Sequence, residues 1–185
     1  VDAVEALQEA MLEPLCQYVR QTDCSGAFIL LDASLSSDPA MDSHAGLYVQ
    51  RGNAEHTTGD LLLYRGMADI GRRHKVMPHR KWAQEFDLSS FPGFAEHLEK
   101  AAAPIERGCR TTEFITLPGT TEQAILLTVP LIGADGTVYG LCGFSINQTY
   151  FSAHHVQPSG IRSLACLLTD GTAGLDIPQS LITYP

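Results

Sequence analysis

The chain has 185 residues, of which 44% are hydrophobic and 18% charged, a composition typical of a globular domain and not of a disordered or fibrous chain. Twelve Lys and Arg against 21 Asp and Glu leave a net charge of −9, which disfavours nucleic acid as a partner because the average field repels phosphates. The sequence contains no apolar run of about 18 residues, so it predicts no transmembrane helix within these residues.

The first predicted element is an amphipathic helix over residues 2–20. Apolar residues recur in it at spacings of three and four: Val4, Leu7, Met11, Leu15 and Tyr18 or Val19. Pro14 lies inside this pattern and predicts a kink or a break near residues 10–11, because its ring crowds the preceding turn. The sequence opens inside the helix and without a methionine, which predicts a fragment of a longer protein.

Two short strands and a long helical stretch are predicted next. The run 27–31 is apolar without alternation, which indicates a central strand buried on both faces, and 46–50 is the second strand. From 61 to 103 the pattern is irregular and helical. A short helix is predicted over 66–76, and a clearer one begins at Phe91-Pro92.

Three consecutive strands end the recognisable pattern and form an antiparallel meander over 112–117, 123–131 and 137–146. Asp135-Gly136 is the turn between the last two, and 161–169 predicts one more strand. Because helices are collected between runs of strands, the sequence predicts an α+β fold. We expect five to six antiparallel strands, a long N-terminal helix, and helices packed on one face.

The element order and the last hairpin resemble a known sensor family. Residues 129–146, VPLIGADGTVYGLCGFSI, are similar to the hairpin that closes the PAS-like sheet of the Cache family of extracytoplasmic sensor domains. The leading helix resembles the Cache stalk helix, and the resemblance covers about residues 2–150. It implies a stalk helix over 1–22, a sensor domain over 23–151, and a C-terminal strand and tail over 152–185 that complete the lobe.

The resemblance also implies a ligand site. Arg80-Lys81-Trp82 matches part of the Arg-x-Trp-Tyr cluster of amino-acid-binding members, in which a guanidinium pairs with a carboxylate beside an indole. Ala83 stands where the family has Tyr, and Ser145 stands where it has the Asp that binds an amine. The expected ligand is therefore a carboxylate without an amine, or an uncharged molecule.

The residue pattern of the final strand predicts the floor of a pocket without reference to the family resemblance. Gly143 lacks a Cβ, and strict alternation would place it on one face with Tyr139, Leu141 and Ser145. The glycines could instead merely admit a packed helix. The predicted ligand-binding residues are Arg80, Trp82, Tyr139, Ser145, Tyr64, Arg65, Tyr48 and Gly143.

The sequence contains no motif for metal binding or for hydrolysis. The five cysteines are dispersed without a C-x-x-C pair, which predicts buried thiols, and the seven histidines lack metal-ligand spacing. No G-x-S-x-G elbow and no thiol beside a base occurs. We therefore predict no catalytic residues, no metal site, no cofactor and no enzyme activity, with a small Cys or His hydrolase as a remote alternative.

Together with these observations, the resemblance implies the extracytoplasmic, small-molecule-sensing domain of a membrane-anchored bacterial signal transduction protein. Ligand occupancy would pass through the N-terminal helix, which also carries a homodimer contact, to an output module outside these residues. The domain would face the extracellular or periplasmic side, and any membrane contact would come from flanking segments. The alternative is a cytoplasmic PAS- or GAF-like dimerisation or signal-relay module.

Overall fold

The computed structural model describes residues 2–36, 42–53, 59–88, 110–111, 115–116, 123–155, 166–168 and 181–184. Its helices are α1 (Asp2–Gln21), α2 (Ala68–Arg73) and α3 (Gln148–His155). The first strands are β1 (Gly26–Leu31), β2 (Ser43–His44), β3 (Gly46–Arg51), β4 (Leu61–Arg65), β5 (Met77–Ala83) and β6 (Phe86–Asp87). The later strands are β7 (Arg110–Thr111), β8 (Ile115–Thr116), β9 (Gln123–Ile132), β10 (Val138–Asn147), β11 (Cys166–Leu168) and β12 (Leu181–Tyr184).

One mixed sheet organises the fold. Its six principal strands run in the order β5-β4-β3-β1-β10-β9, and the short strands β7 and β8 both pair with the outer edge of β9. Every neighbouring pair is antiparallel except β4 and β5, which are parallel. Two small pairs, β2 with β6 and β11 with β12, complete the described strands. The predicted α+β class is confirmed, and the sheet is compatible with a PAS-like fold.

Strand β1 lies at the centre of this sheet, as its unbroken apolar sequence predicts. It pairs with β3 on one side and β10 on the other, and all six of its residues are buried. Its side chains alternate between two cores: Ala27 and Ile29 pack toward α1, whereas Phe28 and Leu30 pack on the opposite face. We call this opposite side the far face. A strand buried on both faces has no polar side to show in its sequence.

Helix α1 covers the other face of the sheet. Its buried residues are Gln8, Leu12, Leu15, Cys16 and Val19. The apolar stripe read from the sequence packs against this core, with Val19 buried and Tyr18 left 54% exposed. The helix continues through Pro14, so no break occurs. Ala10, whose carbonyl loses its usual partner at Pro14, is exposed and can be solvated there.

The region 61–87 differs from the prediction of helical structure. Residues 66–76 do contain α2, but β4 precedes it and β5 follows it, so the segment is a strand-helix-strand crossover. The run Leu61-Leu62-Leu63 is apolar because β4 lies inside the sheet, with Leu61 and Leu63 in the core beneath α1. A short apolar run fits a buried helix as well as a strand. The helix predicted from residue 91 lies outside the described residues.

An ion-pair cluster joins α1 to α2 and predicts a pH dependence. Glu9 accepts hydrogen bonds from Arg73 Nη2 at 2.5 Å and pairs with His74 Nε2 at 2.8 Å. These partners, Arg73 first, lower the pKa of Glu9 below its ordinary value. A carboxyl with a lowered folded-state pKa stabilises the fold above its unfolded-state pKa of about 4.3, and that stability is lost as pH falls through the folded-state pKa.

We therefore expect Glu9→Gln to flatten the acid limb of the stability profile. The free energy of unfolding, measured by denaturant titration from neutral to acid pH, should fall less steeply below about pH 4.3 in the variant than in the parent. Glu13→Gln is the matched control because Glu13 pairs only within α1 in the described residues, with Gln17 and Arg20. An unchanged slope in Glu9→Gln would show that the cluster does not contribute.

Candidate functional site

An aromatic cluster occupies the far face of the sheet. The rings of Tyr48 and Tyr64 lie 5.6 Å apart, and Phe28 and Phe86 each approach Tyr48 at 6.4 Å between centroids. His79 of β5 stacks on Tyr64 with centroids 4.2 Å apart and planes 12° apart. Two predicted ligand residues, Tyr48 and Tyr64, are therefore neighbours. Both are buried, so they form a wall that is fixed by packing.

A polar network crosses this face at the other end of Tyr48. Its hydroxyl lies 3.2 Å from both Gln50 Oε1 and Ser145 Oγ, and its single proton is shared between these two acceptors. Ser145 Oγ also lies 3.2 Å from Ser25 Oγ, and Ser25 Oγ donates to the Ser145 carbonyl at 2.7 Å. The predicted pair Tyr48 and Ser145 is therefore brought together. Their polar atoms satisfy one another and tie β3 to β10.

Tyr139 departs from strict alternation, whereas Gly143 keeps the predicted face, opposite Phe28 of β1. A Cβ at Gly143 would collide with the Leu127 carbonyl oxygen, so the glycine admits the close approach of β9. A β-bulge lies between Val138 and Gly140, whose φ is +147°, and it interrupts the alternation ahead of Leu141. Tyr139 is consequently 50% exposed and lies against Gly133 at the turn. It is not brought together with Ser145.

Arg80 and Trp82 lie away from the far face of the sheet. The indole of Trp82 packs against the core beneath α1, and its Nε1 donates to the Gly66 carbonyl at 2.8 Å. Arg80 is exposed on the same strand, at the edge of the sheet. The two residues of the Arg-x-Trp match thus do not share a pocket with Tyr48 and Ser145.

The described residues line a cleft of about 430 Å³ beside β4 and β6. Its uncharged lining consists of Leu35, Ser36, Ser43, Ala83, Gln84 and Phe86. Its charged lining consists of Arg65, Glu85 and Asp87. Because Phe86 also contacts Tyr48, the cleft adjoins the aromatic cluster. Its size is in the range of small-molecule sites, and its lining combines apolar surface with a few polar groups.

Arg65 is the buried cation of this cleft, with only 6% of its surface exposed. Register places it between Tyr48 of β3 and Ala83 of β5, in the interior of the sheet. Its Nη1 donates to the carbonyls of Tyr64 at 2.6 Å and Lys81 at 3.3 Å. Desolvation lowers the pKa of Arg65, and the nearby carboxylate of Asp87 opposes that effect. A guanidinium nevertheless stays charged at neutral pH.

Glu85 also lines the cleft, and its role was not predicted from the sequence. Its carboxylate accepts hydrogen bonds from the Leu35 amide at 2.5 Å, the Ser43 hydroxyl at 2.7 Å and the Ser34 hydroxyl at 3.2 Å. One side chain thus holds the segment 34–36 and strand β2 against the β5–β6 connection. The partners lie 42 to 51 residues away along the chain, so no local pattern indicates this role.

A corner at residues 65–67 connects the cleft to α1. Arg65 lines the cleft, the Gly66 carbonyl accepts from Trp82, and the Met67 amide donates to Gln8 Oε1 at 2.7 Å. Gln8 Nε2 in turn donates to the Gly46 carbonyl at 3.1 Å, and Gln8 is fully buried. A displacement of this corner therefore acts on a side chain of α1 directly. The sequence contains one signal for this contact, because Gln8 is a polar residue on the apolar stripe of α1.

Cys16, Cys24 and Cys142 are free thiols, of which the first two are buried and Cys142 is half-buried. Burial raises the pKa of Cys16 to about 11, and it also raises the pKa of Cys24 and Cys142. A raised pKa leaves little thiolate, the reactive form, at neutral pH. These thiols therefore lack the activation that a nucleophilic cysteine needs.

We expect alkylation of Cys16, Cys24 and Cys142 at neutral pH to be slow in the folded protein and fast in denaturant. Pulse labelling with a maleimide, read out peptide by peptide by mass spectrometry, measures each site separately. The denatured sample is the control for intrinsic reactivity. Rapid stoichiometric labelling of one of these thiols in the folded protein would contradict the expectation and favour the hydrolase alternative.

The part of the chain that the structure describes offers neither a cluster of metal ligands nor a membrane-spanning helix. No group of three or more His, Cys, Asp or Glu side chains among them could hold a metal ion. None of the helices within the described ranges is long and apolar enough to cross a membrane.

Comparison of the chain with protein-family models, curated proteins and solved structures found no match. The resemblance to Cache domains stays a prediction from the sequence, whereas the α+β class rests on the sheet itself.

Proposed function

We propose that this chain is the small-molecule-sensing domain of a membrane-anchored bacterial signal transduction protein, facing the extracellular or periplasmic side. The observation that supports this function is the 65–67 corner, which is shared by the cleft and by α1. A ligand in the cleft contacts Arg65, and the next two residues hold Trp82 and Gln8. Occupancy is then communicated through α1 to an output module beyond these residues.

The mechanism is a shift between two positions of the corner. A ligand changes their populations only if it binds one position more tightly, and a tenfold bias needs about 1.4 kcal/mol of differential affinity. Rearrangement of the corner strains or releases the two hydrogen bonds of Gln8. Because Gln8 lies on the buried side of α1, the helix moves relative to β3. In a homodimer formed through α1, its exposed side, with Tyr18, carries that movement to the second copy.

A thermal-shift screen of carboxylates, amines and purines tests the proposal, followed by amide hydrogen exchange with each compound that stabilises the protein. A sensing ligand should change the exchange rate of the Met67 amide and of α1 by about tenfold, the change expected for a 1.4 kcal/mol shift. Surface amides of the turn at 134–137 provide the control. Failure of every compound to stabilise the protein, or binding without a change at Met67 and α1, would count against sensing.

The second candidate is a cytoplasmic PAS- or GAF-like dimerisation or signal-relay module. The free thiols of Cys16, Cys24 and Cys142 favour it, because reduced cysteines are typical of cytosolic proteins. Alkylation of the full-length protein in intact cells with a membrane-impermeant maleimide separates the two candidates. A cysteine placed at exposed Asp69 of α2, away from the proposed dimer contact of α1, should be modified in intact cells if the domain faces outward, and only after lysis if it is cytoplasmic.

A further inference from the structure

The guanidinium of Arg65 has two edges with different environments. Nη1 is occupied by the carbonyls of Tyr64 and Lys81. Nε is buried and lacks a hydrogen-bond partner among the described residues, and Nη2 donates to none of them either. The edge formed by Nε and Nη2 presents two parallel N–H donors at the geometry that a carboxylate accepts bidentately. Arg65 is also 94% buried, since 6% of its surface is exposed.

The acidic residues of the cleft do not complete this edge. Glu85 directs its carboxylate to Leu35, Ser34 and Ser43, and none of the ion pairs among the described residues includes Arg65. Asp87 acts on Arg65 only as a nearby charge. A buried, unpartnered N–H of a charged group costs several kcal/mol, of order 1–3 for a neutral donor and more for a cation. A bound anion removes that cost.

We propose that the cleft binds the carboxylate of a small organic acid on the Nε and Nη2 edge of Arg65. This inference rests on the proposed sensing function and names its ligand class and its anchoring residue. Leu35, Ala83 and Phe86 then cover the apolar body of the acid. Ser36 and Gln84 line the cleft beside them and can recognise a hydroxyl or carbonyl substituent.

The charge balance of the cleft selects a monoanion over a phosphate ester. The lining carries one positive and two negative side chains before any ligand binds, so a phosphate with about −1.5 to −2 charges is repelled more strongly than a singly charged carboxylate. Glu85 and Asp87 line the same cleft and repel the additional charge. The protein as a whole is also acidic, with a net charge of −9. Arg65 therefore supplies a local positive charge in a protein whose average field repels anions. This arrangement suits a singly charged ligand.

The Nε–H resonance of Arg65 in a ¹⁵N-labelled sample of the whole chain reports on this edge directly. Titration with acetate, propionate and benzoate should shift it saturably, and the matched neutral amides, acetamide, propionamide and benzamide, should not. Arg51 is the internal control, because its Nε already donates to the Cys24 carbonyl at 2.9 Å in a buried site. Absence of a shift at Arg65, an equal shift with the amides, or tighter binding of inorganic phosphate would overturn the proposal.

Substitutions of two arginines test the carboxylate site further. Arg65→Gln should weaken benzoate binding at least tenfold, since loss of a hydrogen bond to a charged group costs about 1.5–3 kcal/mol. Arg65→Lys keeps the charge but loses the bidentate edge, so it should also weaken binding. Arg80→Gln removes an exposed arginine of β5 and should leave binding unchanged. Equal affinity in Arg65→Gln and the parent, with both folded by circular dichroism, contradicts the assignment.

The results separate this inference from the proposed function. A stabilising uncharged ligand that changes Met67 exchange without moving the Arg65 resonance refutes carboxylate recognition and leaves sensing intact. Conversely, carboxylates that shift the Arg65 resonance but leave α1 unchanged establish the site and refute signalling through the helix.

Discussion

Replacing Arg51 with methionine is expected to lower the free energy of unfolding by about 3–5 kcal/mol, the loss typical of dismantling a buried charged network. Arg51 is 3% exposed on β3, and it binds the C-terminal end of α1. Its Nη2 donates to the carbonyls of Val19 and Thr22, and its Nε donates to the Cys24 carbonyl. Methionine fills similar space but donates no hydrogen bond, so these carbonyls lose their buried partner.

The position of Arg51 explains why the loss should be large. The last carbonyls of a helix lack intrahelical partners, and the negative end of the helix dipole attracts a cation. The guanidinium also lies 5.5 Å from the centre of the Tyr150 ring of α3, a cation–π contact. One side chain therefore joins α1, the segment 22–24 and α3 to the sheet.

Urea denaturation followed by circular dichroism measures the effect of Arg51→Met. Arg20→Met is the matched control, because Arg20 lies in the last turn of α1 but is exposed and pairs only weakly with Glu13, at 3.7 Å. It should change the free energy of unfolding by no more than about 0.5 kcal/mol. A loss in Arg51→Met as small as that in Arg20→Met would show that the capping hydrogen bonds do not stabilise the fold.

Gln8→Met is expected to cost about 2–4 kcal/mol and to loosen the 65–67 corner. The substitution keeps the length and helix propensity of the side chain but removes both of its hydrogen bonds. The Met67 amide and the Gly46 carbonyl are then left without the partner that reaches them from α1. Because an unsatisfied buried group costs about 1–3 kcal/mol, the two losses together are large.

Gln17→Met is the control for this substitution, since Gln17 lies on the exposed side of α1 and, within the described part of the chain, bonds only to Glu13, at 3.4 Å. It should leave the midpoint of urea denaturation nearly unchanged. Amide exchange adds a local measurement, in which Met67 should exchange faster in Gln8→Met than the global destabilisation alone predicts. If Met67 follows the global change, Gln8 contributes to stability but does not couple the corner to the helix.

The predicted elements with the strongest periodic patterns are found in the structure. The stripe of α1, the apolar run of β1 and the last hairpin each carry their signal within ten to twenty neighbouring residues, as periodicity or as a turn sequence. The segment 61–87 does not, because β5 acquires strand structure by pairing with β4 and is exposed or half-buried along its length. Pairing of this kind has no local apolar pattern to reveal it.

The candidate site could be predicted in part, because strand assignment placed Tyr48 and Ser145 across the same sheet. Strict alternation misplaced Tyr139, since a single bulge at Gly140 alters the direction of the strand. The Arg-x-Trp match could not show that Trp82 packs beneath α1. Its neighbour in space, Gly66, lies 16 residues away along the chain.

The sequence by itself determined that this chain is an acidic α+β domain with an amphipathic leading helix, because composition and local periodicity decide what each segment must bury. Tertiary structure alone decided which arginine faces a cleft. Arg51, Arg65 and Arg80 are chemically identical in the sequence, yet one binds a carbonyl at the end of α1, one lines the cleft with an Nε that has no partner among the described residues, and one is exposed. The environment of a charge depends on residues far away in the chain, so only the folded sheet distinguishes the three.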